Sequence, residues 1–145
     1  MKKVLLFLDY AAPPSDTIGT FHASDMILVV HSNASYLSES GARSCAGGYF
    51  PLSNNSANLP NNGGVLAVSQ IIKAIVSSTA KAKIGALYIN CRAAIPAQHT
   101  LTKMGHPQTP TPIQTNNITA LGVVNNTMAP KRMNAMGMRF YWLHA

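Results

Sequence analysis

The chain has 145 residues, enough for one domain with one ordinary core and too few to argue for two. Apolar residues make up 47% of it, which excludes a disordered composition, while Asp, Glu, Lys and Arg together supply only 10%, against about a quarter in a usual soluble domain. The shortage falls on the acids: Asp9, Asp16, Asp25 and Glu39 are the four carboxylates, none follows Glu39, and the net charge is +7.

Residues 3–11 place Val4, Leu5, Leu8 and Ala11 on one helical face, and Pro13-Pro14 ends that piece. Its apolar run from Val4 to Leu8 is cut by Asp9, which is too short for a secretory h-region, and no later run approaches the 18 apolar residues of a membrane span. The sequon-like triplets at Asn33, Asn54, Asn117 and Asn125 carry little weight without a secretory signal, so the expected location is intracellular, cytoplasmic or nuclear. Met26–His31 is an apolar run of strand length, and its two-sided burial suggests a central strand. A polar turn from Ser38 to Ser44 leads to a second strand, Cys45–Phe50, limited by Pro51. The Asn-rich loop from Asn54 to Gly64 precedes a third, Val65–Val68. Connections this short predict an antiparallel meander.

The period then changes. Ile84, Leu87, Tyr88, Cys91 and Ile95 form a helical stripe, with an N-terminus near Ser77-Ser78 and a stop before Pro96. Thr111–Thr115 is a fourth strand that could pair in parallel with the first through a crossover, and Asn117–Val124 a short helix. The closing stretch, Lys131 to His144, is helix or strand, and its Met and aromatic residues read as core. Cys45 and Cys91 match no metal-ligand spacing and read as two buried free thiols.

Several blocks in this order resemble the ribonuclease H domain of copia-type retrotransposon polyproteins. They are His31–Glu39 (His-Ser-Asn-Ala-Ser-Tyr-Leu-Ser-Glu) with Ala42-Arg43-Ser44 and Ala46–Phe50, then Ser77–Leu87, then Pro110–Asn117 with Thr119-Ala120, and finally Lys131-Arg132, Met136 and Met138–Trp142. Leu8-Asp9-Tyr10 and Phe21–Met26 are similar to the segment joining such a domain to the reverse transcriptase. The resemblance implies a ribonuclease-H-like α/β fold: a mixed sheet with an antiparallel three-strand meander, followed by a helix, a parallel strand and a helix. Residues 1–25 would be a short helical lead-in, and 26–145 a domain lacking the family's final strand–helix segment.

The family cleaves the RNA strand of an RNA–DNA hybrid with two divalent ions held by converging carboxylates. By the same resemblance, the first acid falls on Asn33 and a later one on Asn116. The helix acid falls in Lys81-Ala82-Lys83-Ile84, at Lys83 or, alternatively, at Lys81. The fourth would lie beyond Ala145. An amide keeps a neutral oxygen and loses the charge, and a lysine puts a cation where cations should bind. Unit charges 4 Å apart interact by roughly 4 kcal/mol at an effective dielectric of about 20. The expected protein is therefore a catalytically inactive domain with no cofactor. Mg²⁺ or Mn²⁺ would enter only if Asp25 or Glu39 replaced a lost acid.

The basic excess favours polyanions in general. It reads either as a by-product of acid loss or as a surface on which Lys81, Lys83, Lys131, Arg132 and Arg139 contact RNA–DNA hybrid or other nucleic acid. The five histidines show no ligand spacing, and His31 reads as a packing or surface residue. Without the last strand–helix segment, an exposed C-terminal sheet edge favours self-association.

Overall fold

The computed structural model describes residues 19–55, 62–125, 127 and 143. Its elements are β1 (Ile27–Leu28), β2 (Val30–Glu39), β3 (Arg43–Ser53), β4 (Gly64–Ile71), a long helix α1 (Thr79–Lys103), β5 (Ile113–Thr115) and a short helix α2 (Ile118–Val124). They form an α/β structure in which a mixed five-stranded sheet is packed by helices. β3 lies between β4 and β2, antiparallel to both, and β5 runs parallel to β2 on its far side. The meander and the parallel pair are those expected from the sequence, as is the central place of the first strand. The helical lead-in expected over residues 3–11 and the segment Lys131 to His144, apart from Leu143, lie outside the described residues.

β1 and β2 are one strand interrupted. Ile27 faces Ser53 and His31 faces Tyr49 in a single register along β3. At the interruption Val29 donates its N–H to the Pro51 carbonyl (3.1 Å), and a proline has no N–H to return. The expected first strand is thus present, but it runs on past His31 to Glu39. Beyond the apolar run, polar residues alternate with residues that face the helices: Ala34 and Tyr36 pack against the core while Asn33 and Ser35 are exposed. Period-2 alternation continues the strand where an apolar run does not. The turn is correspondingly tighter than Ser38–Ser44. It comprises Ser40, Gly41 and Ala42, with Gly41 and Ala42 in the left-handed region (φ 71° and 52°). Pro51 does not end the second strand either, because a register shift at Phe50/Pro51 absorbs it and β3 continues to Ser53.

α1 begins as its sequence predicts: the Ser78 hydroxyl accepts the Lys81 N–H (3.3 Å). It does not stop before Pro96. Pro96 is exposed and costs one intrahelical bond. The turns beyond it carry Ala97 and Leu101 against the cluster of Leu28, Val30, Phe50, Leu52 and Ala94. Burying that apolar surface outweighs one lost bond. The helix closes at Gly105 (φ 92°), with Gly105 N–H on Thr102 and His106 N–H on Leu101, the paired bonds of a Schellman ending. The buried face also differs from the expected stripe. Lys83, Ala86, Leu87, Asn90 and Ala94 face the sheet, whereas Ile95 is exposed. A second cluster joins Ile84 and Leu87 to Ala46, Ile72, Val76 and, from α2, Ala120 and Val123. None of the described helices is long and apolar enough to cross a membrane.

Two substitutions test this packing. A Cβ at Gly48 would lie 2.3 Å from Asn90 Oδ1 and 2.8 Å from the Phe50 ring. Gly48→Ala is therefore expected to destabilise by roughly 1–3 kcal/mol in urea unfolding, as overpacking does. Pro96→Ala restores a helical N–H at an exposed site and is expected to raise stability, by up to about 3 kcal/mol, in the same measurement.

Candidate functional site

Residues 30–32 of β2 pair with 113–115 of β5, and the parallel ladder ends at Ser32 opposite Thr115. The next residue on each side is an asparagine: Asn33, still within β2, and Asn116, the first residue past β5, so their carboxamides stand where the β2–β5 ladder ends. Lys83 comes in from α1, buried to 8% exposure. Its ammonium donates to Asn33 Oδ1 and to Asn116 Oδ1, the latter at 2.8 Å. Asn33 Oδ1 also accepts the N–H of Ala34 (2.8 Å). Three side chains, from β2, from α1 and from the residue after β5, thus meet at one point.

Lys81 takes no part. Two residues earlier, it lies about 200° round the helix, and its ammonium donates to the Ser77 hydroxyl (3.0 Å). Of the two lysines, Lys83 is the one that reaches the asparagines. Lys131, Arg132 and Arg139 lie outside the described residues, so the expected basic surface is described only at Lys81 and Lys83, which have separate partners.

The possible replacement acids stand elsewhere. Asp25 accepts the Asn55 N–H (2.9 Å), and Asn55 lies eight residues along the chain from Gly47, the partner of Asn33. That is up to about 25 Å of extended chain. Glu39 ends β2 opposite Arg43, six residues past Asn33, or up to about 20 Å. Among the described residues no three His, Cys, Asp or Glu side chains are grouped to hold a metal ion. The donor set at the end of the β2–β5 ladder does not fit Mg²⁺ or Mn²⁺: it supplies two neutral amide oxygens, both already turned to a cation. These ions require hard, mostly anionic oxygens.

Asn90 was not among the candidates from sequence. It lies seven residues after Lys83 on the same face of α1 and is fully buried. Its Nδ2 donates to Ser32 Oγ (2.8 Å) and to the Gly47 carbonyl (2.9 Å), tying the helix to β2 and β3. Its Oδ1 is buried without a partner among the described residues, facing the space left by Gly48. The available signal is the seven-residue spacing that puts two polar residues on the otherwise apolar buried face of the helix, which an apolar-stripe reading discards.

On the sheet face away from α1, a cleft of about 530 Å³ runs over His31, Asn33, Gly47, Tyr49, Gln114 and Asn116. His31 and Tyr49 are cross-strand partners with ring centroids 6.1 Å apart, tilted by 46°. Tyr49 is held by its hydroxyl, which donates to the Asn62 carbonyl (2.8 Å). The cysteines are both free and half-buried rather than fully buried. Burial pushes the Cys91 thiol up to about 11.

The chain matches no protein-family model, no curated protein and no solved structure.

The Cys91 environment has a measurable consequence. With the thiol raised from 9.0 to about 11, its thiolate fraction at pH 8 falls about 100-fold. Iodoacetamide labelling of Cys91 in a Cys45→Ser variant should accordingly be slow at pH 8 and accelerate up to about pH 11. Because the folded form keeps its proton to higher pH than the unfolded chain, this group contributes stability below pH 9 that is lost as pH rises towards 11. Rapid labelling at pH 8 would refute the burial.

Proposed function

We propose that the chain is a catalytically inactive ribonuclease-H-like domain of retrotransposon-polyprotein descent, in which a lysine–asparagine cluster occupies the place of the metal-binding carboxylates. One observation carries this reading. Positions 33, 83 and 116, singled out by motif resemblance, are 50 and 33 residues apart in sequence, yet their side chains meet. The mixed sheet, with its antiparallel meander and a parallel strand reached through a helix, is compatible with that ancestry.

Inactivity follows from the chemistry of the cluster. Hydrolysis by the family's route needs two cations to activate water and to stabilise the leaving oxygen. At this site the cation is an ammonium, which has no open coordination position and cannot polarise a water as a metal does. The neighbouring oxygens are neutral amides, and neither is a general base. A basic surface for nucleic acid is less well supported, since one described member, Lys83, is buried against the asparagines.

A labelled RNA–DNA hybrid incubated with the protein over a range of Mg²⁺ and Mn²⁺ should remain intact; saturable metal-dependent cleavage would overturn the reading. The reverse experiment uses the triple variant Asn33→Asp, Lys83→Glu, Asn116→Asp. Restoring three carboxylates at one point should create a Mn²⁺ site, seen as a melting temperature that rises with Mn²⁺ concentration in the variant and not in the parent. Equal shifts in both would show that positions 33, 83 and 116 do not form the ancestral metal site.

A further inference from the structure

Lys83 carries a positive charge almost out of contact with water, and its described partners are two neutral oxygens. No carboxylate side chain follows Glu39 in sequence, and the net charge of the chain is +7. A buried cation whose charge is not neutralised attracts an anion to the nearest accessible surface. That surface is the cleft. Asn33 and Asn116 line it, while Lys83 lies behind them on the helix side.

The orientation of the amides is the second observation. Each spends its oxygen on Lys83, and neither NH₂ group makes a hydrogen bond among the described residues. What the two carboxamides have left to present is therefore donor groups, backed and polarised by the ammonium. Donors without acceptors recognise oxyanions.

The rest of the cleft is flat and aromatic. His31 is two residues from Asn33 on the same face of β2, so its ring stands about 7 Å along the strand. Tyr49 faces His31 across the ladder and is fixed by Asn62 and by Gly64, where a Cβ would lie 2.3 Å from the ring. Gly47, opposite Asn33, leaves the floor between the two ends without a side chain. The cleft is open to solvent and has a volume of about 530 Å³.

We propose that this cleft binds a nucleoside monophosphate, its phosphate on the amides of Asn33 and Asn116 over Lys83 and its base against Tyr49 and His31. The same chemistry is offered by a free nucleotide and by the terminal phosphate of an oligonucleotide. The proposal rests on the reading above in one respect, that no metal occupies the Asn33–Asn116 site.

Isothermal titration of the full chain in EDTA, with adenosine monophosphate, adenosine and inorganic phosphate in turn, tests it. Adenosine monophosphate should bind more tightly than either fragment, and equal or absent binding of all three overturns the proposal. Asn116→Ala, at an exposed position, should weaken the nucleotide roughly tenfold, the loss expected for one charge-supported hydrogen bond. Tyr49→Ala should remove the advantage of the nucleotide over inorganic phosphate. Lys103→Gln, which deletes one charge on the last turn of α1, should leave all affinities unchanged. A loss equal to that of Asn116→Ala would show a general charge effect and overturn the site. A short 5′-phosphorylated oligonucleotide distinguishes the sources: binding tighter than the mononucleotide assigns the site to strand ends, and weaker binding to free nucleotide. Binding that appears only with Mg²⁺ would refute the metal-free reading, whereas no binding with or without Mg²⁺ would refute this proposal alone.

Discussion

The geometry depends on one close approach, that of α1 to the sheet at Gly47 and Gly48. A side chain at Gly48 would collide with Asn90, so the helix can descend only where that strand has none. Asn90 then fixes the descent with two hydrogen bonds from one nitrogen, one to each of two neighbouring strands. Lys83 is two turns up the same helix face, about 10 Å along the axis. That spacing brings its ammonium level with the end of the β2–β5 ladder. The cluster at Asn33 and Asn116 is thus downstream of a packing decision made at a glycine.

The abundance of amides has a structural use beyond the cluster. A carboxamide carries a donor and an acceptor together and can take the place of a peptide group. Gln108 does this for β1, accepting the Leu28 N–H and donating to the Met26 carbonyl, both at 2.9 Å. Asn62 does the same for the stretch before the sheet, accepting from His22 and donating to His22 and Leu52 carbonyls. Asn117 caps α2 by accepting the Ala120 N–H at 2.7 Å. Loop segments that a charged surface would leave to solvent are in this chain sewn to the sheet by neutral side chains.

Much of the architecture could be read from sequence because its signals are local. Apolar runs mark the first and third strands, Ser78 marks the start of the long helix, and short connections mark the meander. Three features could not be read that way. The passage of α1 through Pro96 depends on what Ala97 and Leu101 bury, which is a tertiary fact. The rotation of its buried face depends on polar residues, Lys83 and Asn90, finding partners across the chain. The extension of β2 to Glu39 depends on alternation among small and polar residues, where hydropathy is weak. At the site, the motif resemblance drew attention to positions 33, 83 and 116 but left Lys81 and Lys83 as alternatives; helix geometry separates them. Asn90 is not legible in the sequence, because a polar residue in an apolar stripe acquires a role only through acceptors on two distant strands.

A lysine's nitrogen cannot leave the chain that carries it. A metal centre is filled or empty according to the solution around it, and its ligands repel one another until the ion arrives. Where the β2–β5 ladder ends, the positive charge is delivered covalently by α1, in fixed stoichiometry and on the same chain as its acceptors. Joining β2 to the residue after β5 is therefore a step of folding itself, settled when the helix docks, and it is indifferent to chelators and to the supply of any metal ion.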